Sequence, residues 1–189
     1  NIFDINNVIL ISSLCDRRYG IGADGLILLR DHDQYDFEMI YFNSDGYQST
    51  MCGNGGRCII HFAQMLKIVE NKTLFIAIDG VHKGYYAQEI ISIQMKDVES
   101  IKLLGEDLVI DTGSPHYVQQ RQDLDNIDVD LEGRGVRRSE EFLKSGINVN
   151  FVKVADNFQV RTYERGVEKE TLSCGTGVVA SVIAMHYIN

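Results

Sequence analysis

Apolar residues along the chain follow two periodicities, which predict strands and helices. Segments that alternate apolar with polar residues, or that run in β-branched and aromatic residues, predict β-strands. These segments are 25–30, 36–43, 74–78, 84–95, 107–113, 149–154 and 157–164. Segments with apolar residues at helical spacing are 8–18, 55–67 and 176–188, and a shorter helix is expected at 139–145. The polar stretch 123–135 is expected to be a loop.

The order of these elements is mixed, because helices interrupt the strands without a regular strand–helix alternation. An α+β fold with mixed sheets is therefore favoured over a doubly wound sheet. The chain has 189 residues, which is enough to bury a substantial core in one large domain or two small ones.

The chain contains an internal duplication that is visible around two cysteines. Strands 36–43 and 157–164 are related by an offset of 121, whereas Cys52 and Cys174 are 122 apart, so the second loop carries one extra residue. Each cysteine is followed by Gly-x-Gly and then by a predicted helix. This pattern predicts two similar halves, 1–106 with Cys52 and 107–189 with Cys174.

Charge and cysteine content narrow the class of protein. The net charge is −9 with scattered lysines and arginines, which argues against a nucleic-acid surface. No apolar run approaches 18 residues, so no membrane span is expected. Four cysteines without a C-x-x-C pair favour reduced thiols in a cytosolic protein over a disulfide scaffold. Cys15 and Cys58 are expected to be small buried hydrophobes.

A cysteine at a helix start has a specific chemical meaning. The unpaired N–H groups there carry partial positive charge, so a thiol at that position ionises more readily and an anion can bind beside it. Two such corners facing one molecule could take a proton from one face of a carbon and return one to the other face. The N–H groups would stabilise the developing negative charge. No pyridoxal lysine signature is evident, and this scheme requires no cofactor.

Four segments of the chain resemble motifs of the diaminopimelate epimerase family. "NSDGYQSTMCGNGGRC" at 43–58 and "ERGVEKETLSCGTG" at 164–177 resemble its two signatures, and "RRYGIGADGLILL" at 17–29 and "DTGSPHYV" at 111–118 resemble two further blocks. The resemblance implies two similar mixed α/β domains related by pseudo-twofold symmetry, each with a central helix wrapped by strands, and an active site in the cleft between them. It also implies a pyridoxal-independent epimerase of LL- and meso-diaminopimelate, active in lysine and peptidoglycan precursor synthesis in the cytoplasm, with a homodimer suggested.

The same resemblance implies roles for individual residues. Cys52 and Cys174 correspond to the catalytic acid and base, and no metal is implied. The residues expected to hold the α-carboxylate are Gly53, Asn54, Gly175 and Thr176. The residues expected to bind the far end of the substrate are Asn43, Asn148 and Arg165, with Glu164 as the partner of the distal ammonium and His116 near the site. An arginine suits a carboxylate because its planar fork binds bidentately.

Each of the less specific assignments has a plain structural alternative. Asn43 could form a turn, and Asn148 could cap one. Glu164 and Arg165 could be a solvated surface pair, and His116 could be a hydrogen-bonded core histidine.

Three departures from the family pattern accompany the resemblance. Family members begin with a "GNDF"-type segment and continue past the second helix, so the sequence is expected to lack both natural ends. Ser114 stands where many members have asparagine, so its contact with the distal carboxylate is not assured. The extra loop residue is expected to shift Arg165 relative to Cys174.

Three other functions compete with the epimerase. They are a proline racemase-like enzyme, a thiol module for metal or redox sensing, and a catalytically inactive amino-acid-binding protein. Arg165 and Asn43 argue against the first, because a small substrate has no charged far end to bind. The spacing of the cysteines and His116 argues against a zinc site in the second.

Overall fold

The computed structural model describes residues 3–155 and 158–188, which form two compact units that divide between Gln94 and Met95. The sequence placed the division later, at 106/107. Residues 101–104 pair with 107–111 as an antiparallel hairpin, which belongs wholly to the second unit. Within the described residues, each unit holds one six-stranded mixed sheet and two helices. The expected α+β class, with two similar mixed domains, is confirmed.

The first unit contains six strands and two helices within the described residues. Its elements are α1 (Val8–Cys15), β1 (Gly25–Arg30), β2 (Phe37–Asn43), β3 (Gln48–Ser49), α2 (Gly53–Met65), β4 (Lys72–Ala77), β5 (Gly80–Ala87) and β6 (Ile90–Ile93). The sheet runs β1-β2-β4-β5-β6, with β3 paired to β2, and only the β2–β4 pairing is parallel.

The second unit repeats this plan with the parallel pair near the middle of the sheet. Its elements are β7 (Ile101–Leu104), β8 (Asp107–Asp111), β9 (Pro115–Gln120), α3 (Val129–Arg137), β10 (Asn148–Val154), β11 (Phe158–Glu164), β12 (Lys169–Thr171) and α4 (Gly175–Ile188). The sheet order is β12-β11-β10-β9-β8-β7, and only β9 and β10 run parallel.

The central strands of both sheets are buried on their two faces. In β2, Phe37 and Met39 pack in the core that holds the apolar face of α2, whereas Ile40 and Phe42 pack with Ile11 of α1. Alternate residues of a strand point to opposite faces, so α1 and α2 cover opposite sides of this sheet. In the second unit, Val149 and Phe151 of β10 pack with α3, and Val152 packs with α4.

The sequence duplication corresponds to a structural repeat. Strands β2 and β11 are offset by 121 residues at both ends, and helices α2 and α4 begin 122 residues apart. The hairpin register locates the extra residue, because Tyr41 pairs with Ser49 and Thr162 pairs with Thr171. The insertion therefore lies in the turn 165–168, where Glu168 has a positive φ of 59°.

Several local expectations were wrong for identifiable reasons. The segment 84–95 is not one strand, because Gln88 and Glu89 adopt positive φ values of 51° and 63° and turn the chain into the β5–β6 hairpin. The segment 139–145 forms turns and not a helix. Helix α1 ends at Cys15, because Asp16 Oδ1 accepts the backbone N–H groups of the next turn. Position 157, the expected start of β11, lies outside the described residues.

The expected loop at 123–135 contains the start of α3. Asp128 caps this helix by accepting the Leu131 N–H at 3.0 Å, and acidic residues occupy its first turn and arginines its last. Gly133 and Gly135 weaken the helical signal of the sequence. Gly133 is required by packing, because a Cβ built there would lie 2.4 Å from Cβ of Tyr163.

We expect Gly133→Ala to lower the free energy of unfolding by about 1–3 kcal/mol, because the added methyl overpacks against Tyr163. Gly135→Ala is the matched control in the same helix. No atom lies within 4 Å of its built Cβ, so its higher helix propensity should raise stability by about 0.5–1 kcal/mol. Urea denaturation measures both, and equal effects of the two substitutions would contradict the packing argument.

Candidate functional site

The first cysteine caps a helix whose start is packed against the sheet. Cys52 has extended backbone angles, and its Sγ accepts the Gly55 N–H at 3.1 Å. The first regular helical bond, from Gly56 N–H to the Cys52 carbonyl, is 2.8 Å long. Gly53 is buried and Asn54 is exposed, and the Asn54 amide oxygen accepts from Arg57 at 2.5 Å. Cys52 is half-buried at the electropositive end of α2.

The residue before Cys52 is held by a pair that the sequence did not single out. Asp79 Oδ1 accepts the Met51 N–H at 3.3 Å and lies 3.2 Å from His82 Nε2. The pKa of Asp79 is lowered, because the hydrogen bonds from His82 and Met51 outweigh the effect of burial, which acts in the opposite direction. The ionised Asp79 therefore fixes the backbone that leads into the cap.

Asn43 ends β2 at the turn between β2 and β3. Its N–H donates to the Tyr47 carbonyl at 3.0 Å, and its carbonyl accepts from Gly46 at 2.9 Å. The backbone of Asn43 thus forms the turn that its sequence context suggested. Its side chain is partly exposed.

The second cysteine lies at the start of α4 in a more enclosed setting. Cys174 is 8% exposed, and its carbonyl accepts the Val178 N–H at 2.9 Å. Its Sγ lies 3.4 Å from Oγ1 of Thr176. Gly177 packs so closely on the sheet that a Cβ there would lie 2.4 Å from Nδ2 of Asn150.

His116 joins this corner through buried hydrogen bonds. Its Nε2 lies 2.9 Å from Thr176 Oγ1, and its Nδ1 lies 2.8 Å from Asn150 Oδ1. Asn150 Nδ2 donates in turn to Thr162 Oγ1 at 2.9 Å. Burial lowers the pKa of His116 to about 4, against a partly opposing hydrogen bond to the Asn150 oxygen, so the imidazole is neutral at pH 7.

Asn148 is the first residue of β10, and its side chain holds the backbone of the turn that carries Arg165. It is the register partner of His116 on β9. Its amide nitrogen donates to Ser114 Oγ at 2.8 Å and to the Pro115 carbonyl at 3.1 Å, and its oxygen accepts the Arg165 N–H at 2.9 Å. Ser114 therefore contacts the amide of Asn148 in this structure.

Arg165 is partly buried in the turn that carries the inserted residue. One of its guanidinium nitrogens donates to the Ser145 carbonyl at 3.2 Å, and its side chain packs over Gly146. The pKa of Arg165 is lowered by burial first and by the nearby Arg137 second, with Asp111 opposing. Glu164 accepts from the Thr171 hydroxyl. The nearby Arg137 lies 3.4 Å from Glu168 of the same turn, so cations and a carboxylate are close together here.

The predicted residues therefore fall into two sets, one in each unit. The first set is Cys52, Gly53 and Asn54 at one helix start, with Asn43 at the end of β2. The second set is continuous from Cys174, Gly175 and Thr176 through His116 to Asn148, Arg165 and Glu164. Sequence reasoning missed Asn150, which is fully buried within β10. The only available signal was an asparagine where β10 should bury an apolar side chain.

The other two cysteines have different surroundings. Cys15 is buried, as expected, and burial together with Asp24 raises the pKa of its thiol. Cys58 is exposed, so the expectation that it is a buried hydrophobe was wrong, because α2 turns this position away from the sheet. Across residues 3–155 and 158–188, no cluster of three or more His, Cys, Asp or Glu side chains could hold a metal ion. No described helix combines the length and hydropathy needed to cross a bilayer.

Comparison with solved structures defines the class of protein. The chain is similar to a probable proline racemase from Agrobacterium radiobacter K84, with a TM-score of 0.63 and 15% identity over 97% of this chain and 67% of that one. A hydroxyproline epimerase from Agrobacterium vitis gives a TM-score of 0.61 and 13% identity over 100% and 70%. The chain is thus an α+β protein with the fold of these racemase and epimerase structures.

Sequence comparison identifies the family within that class. The family model for diaminopimelate epimerase matches residues 3–100 and 108–189. A diaminopimelate epimerase from Flavobacterium psychrophilum is 54% identical over 97% of this chain and 73% of its own length. One from Aquifex aeolicus is 40% identical over 93% of this chain and 68% of its own length. The chain belongs to the diaminopimelate epimerase family.

Because His116 is neutral when buried, the stability of the second unit should depend on pH. The unfolded chain protonates its histidine near pH 6.5, whereas the folded chain does so only near pH 4. The unfolded state therefore binds the proton first, so stability is complete above pH 6.5 and is lost as the pH falls to about 4. The shift corresponds to about 3 kcal/mol.

Urea unfolding of the wild type and of His116→Gln at pH 7 and pH 4 measures this effect. Glutamine keeps a donor and an acceptor but does not titrate, so the variant should lose about 3 kcal/mol less than the wild type between the two pH values. The same loss in both proteins would contradict a buried neutral histidine.

Proposed function

We propose that this chain interconverts LL- and meso-diaminopimelate by proton transfer at the α-carbon, with Cys52 and Cys174 as the two bases. The observation that carries the proposal is the repeated Cys-Gly helix start, which occurs once in each unit. Membership of the diaminopimelate epimerase family supports the substrate. Inversion needs an acid and a base on opposite faces of one carbon, so the proposal requires both sulfurs to reach the same substrate.

The helix starts supply the electrostatic part of the mechanism. Removing the α-proton places negative charge on the α-carbon and its carboxylate, and fixed N–H dipoles stabilise that charge without reorganising. We assign this role to the backbones at Gly53 and Asn54, and at Gly175 and Thr176. The reaction then needs no electron-accepting cofactor, since the two thiols and the N–H groups provide the acid, the base and the anion site.

The far end of the substrate carries a second carboxylate and a second ammonium group. We assign the carboxylate to Arg165, whose partly buried guanidinium lies near a second arginine, Arg137. Glu164 is assigned to the distal ammonium. Asn43, Asn148 and His116 complete the assignment, with Asn148 acting through the Arg165 backbone that it holds.

The cellular setting follows from the same proposal. We propose a cytoplasmic homodimer that acts in the synthesis of lysine and peptidoglycan precursors, with diaminopimelate as its ligand. The net charge of −9 supports a small-molecule enzyme over one that binds nucleic acid.

We expect Cys52→Ala and Cys174→Ala each to lower epimerisation at least about 100–10,000-fold, because each removes one of the two proton-transfer groups. Incubation with LL-diaminopimelate in heavy water, followed by NMR of the α-position, measures both inversion and deuterium incorporation. Cys58→Ala is the matched control on α2 and should keep wild-type turnover, because its thiol is exposed and lies six residues from Cys52.

Circular dichroism of each variant separates loss of chemistry from loss of fold. Full activity in either Cys52→Ala or Cys174→Ala would falsify the two-thiol mechanism. Wild-type protein that binds diaminopimelate without α-proton exchange would instead identify an amino-acid-binding protein.

We expect Arg165→Lys to raise KM for diaminopimelate about 10–100-fold, because lysine cannot form the bidentate contact with a carboxylate. The free amino acid L-lysine, which lacks the distal carboxylate of diaminopimelate, serves as the comparison ligand. Its affinity for the protein should change little in Arg165→Lys. Arg138→Lys, at an exposed position, is the control. Equal weakening for both ligands would show that Arg165 does not recognise the distal carboxylate.

A further inference from the structure

Four buried polar side chains form a row of hydrogen bonds that begins at the sulfur of Cys174. The proposed substrate contacts do not account for the last two of them, Asn150 and Thr162. Thr176, His116, Asn150 and Thr162 are each no more than 5% exposed. They are linked one after another by hydrogen bonds from the Cys174 sulfur to the Thr162 hydroxyl. A buried polar chain is costly unless every donor meets an acceptor, so its members constrain one another.

The side-chain amide of Asn150 sets the direction of this chain of hydrogen bonds. Its Nδ2 donates to Thr162 Oγ1, so Oδ1 faces Nδ1 of His116 at 2.8 Å. An amide oxygen only accepts, so Nδ1 of His116 must carry a proton and donate it. His116 is neutral, because burial lowers its pKa more than the hydrogen bond to Asn150 and the charge of Asp111 raise it, and Arg165 acts with burial. Its Nε2 therefore carries only a lone pair.

The remaining two contacts follow from that tautomer. Nε2 of His116 must accept, so the Thr176 hydroxyl donates its proton to it across 2.9 Å. The same hydroxyl oxygen lies 3.4 Å from Sγ of Cys174, and its proton is already committed. Towards the sulfur it can only accept, so this contact favours the S–H form of Cys174.

We propose that Asn150 is a positioning residue that fixes His116 as the Nδ1–H tautomer and thereby keeps the resting proton on Cys174. Cys174 is then the acid of the resting protein. The complementary assignment rests on the proposed function, since a two-base epimerase with one thiol protonated needs the other ionised. Cys52 would be that base, and its Sγ already accepts the Gly55 N–H, which suits a thiolate.

The opposite orientation of the network makes the opposite prediction. If His116 carried its proton on Nε2, it would donate to Thr176, and the Thr176 hydroxyl would be available to donate to a Cys174 thiolate. The two arrangements therefore differ in the position of one imidazole proton and in which cysteine rests ionised. Both differences are observable by NMR without any turnover.

The first experiment measures the wild-type protein. Long-range proton–nitrogen correlation spectra between pH 6 and 8 should show His116 protonated on Nδ1 and bare on Nε2. Cysteine labelled with carbon-13 at Cβ, assigned with Cys174→Ser, should show Cys52 ionising at a lower pH than Cys174. A proton on Nε2 of His116, or Cys174 ionising first, would overturn the proposal.

The second experiment changes Asn150 alone. Asn150→Leu removes the acceptor for Nδ1, so the Nε2–H form of His116 should appear and the Cys174 resonance should titrate about one pH unit lower. Asn150→Asp keeps an oxygen facing Nδ1 and should return the proton to Nδ1, while its negative charge should raise the pKa of His116. A merely structural role would leave the imidazole tautomer unchanged in both variants, and that result would contradict the proposal.

These measurements separate this inference from the function proposed above. The spectra report on His116 and Cys174 without substrate, so the proposed role of Asn150 can fail in a protein that is an active epimerase. Absence of α-proton exchange, with the expected tautomer and titration order, would reject the function and retain the role of Asn150.

Discussion

The close contact between glycine-rich helix starts and the sheets is the constraint on which the rest of the structure depends. At Gly177 and Gly56, a Cβ would lie within about 2.5 Å of a side-chain atom of the sheet. Only a residue without a side chain lets α2 and α4 begin there. The same contact places each cysteine at the end of its helix, where N–H groups face outward. The packing of Gly56 and Gly177 therefore fixes the two helix starts at which Gly53, Asn54, Gly175 and Thr176 lie.

The two units share the helix start at the cysteine, but they differ by one inserted residue in the hairpin before it. In both units a strand and a hairpin precede the cysteine and a helix follows it. The two hairpins differ by one residue, which lies in the 165–168 turn. That turn carries Arg165 and packs over Gly146, so the insertion altered the part of the second unit assigned to the far end of the substrate. Helices α2 and α4 begin at equivalent positions once the inserted residue is allowed for, because the insertion lies before β12.

Alternation and helical spacing were sufficient to predict the central strands β2, β4 and β10 and the helices α1, α2 and α4, because burial imposes those periods directly. The central strand β9 was not predicted. Alpha3 was missed because Gly133 is present to admit Tyr163, a tertiary requirement that lowers local helix propensity. The hairpin at 88–89 was missed because Gln and Glu adopt positive φ without a glycine to mark the turn. At the site, the cysteines and their glycines were recognisable from repetition, whereas Asn150 acts only through partners distant in sequence.

A backbone N–H contacts the Cys52 sulfur and a side-chain hydroxyl contacts the Cys174 sulfur. On the proposed function, these two contacts address a problem that duplication creates. Two identical helix starts would give two thiols of equal acidity, yet proton transfer across a carbon needs one protonated and one ionised group at rest. Cys52 is half-buried and meets a backbone N–H, a donor that favours negative charge. Cys174 is buried and meets a hydroxyl whose direction is set by His116 and Asn150. On the proposed function, the buried polar chain behind the second cysteine supplies the asymmetry that the repeated sequence lacks.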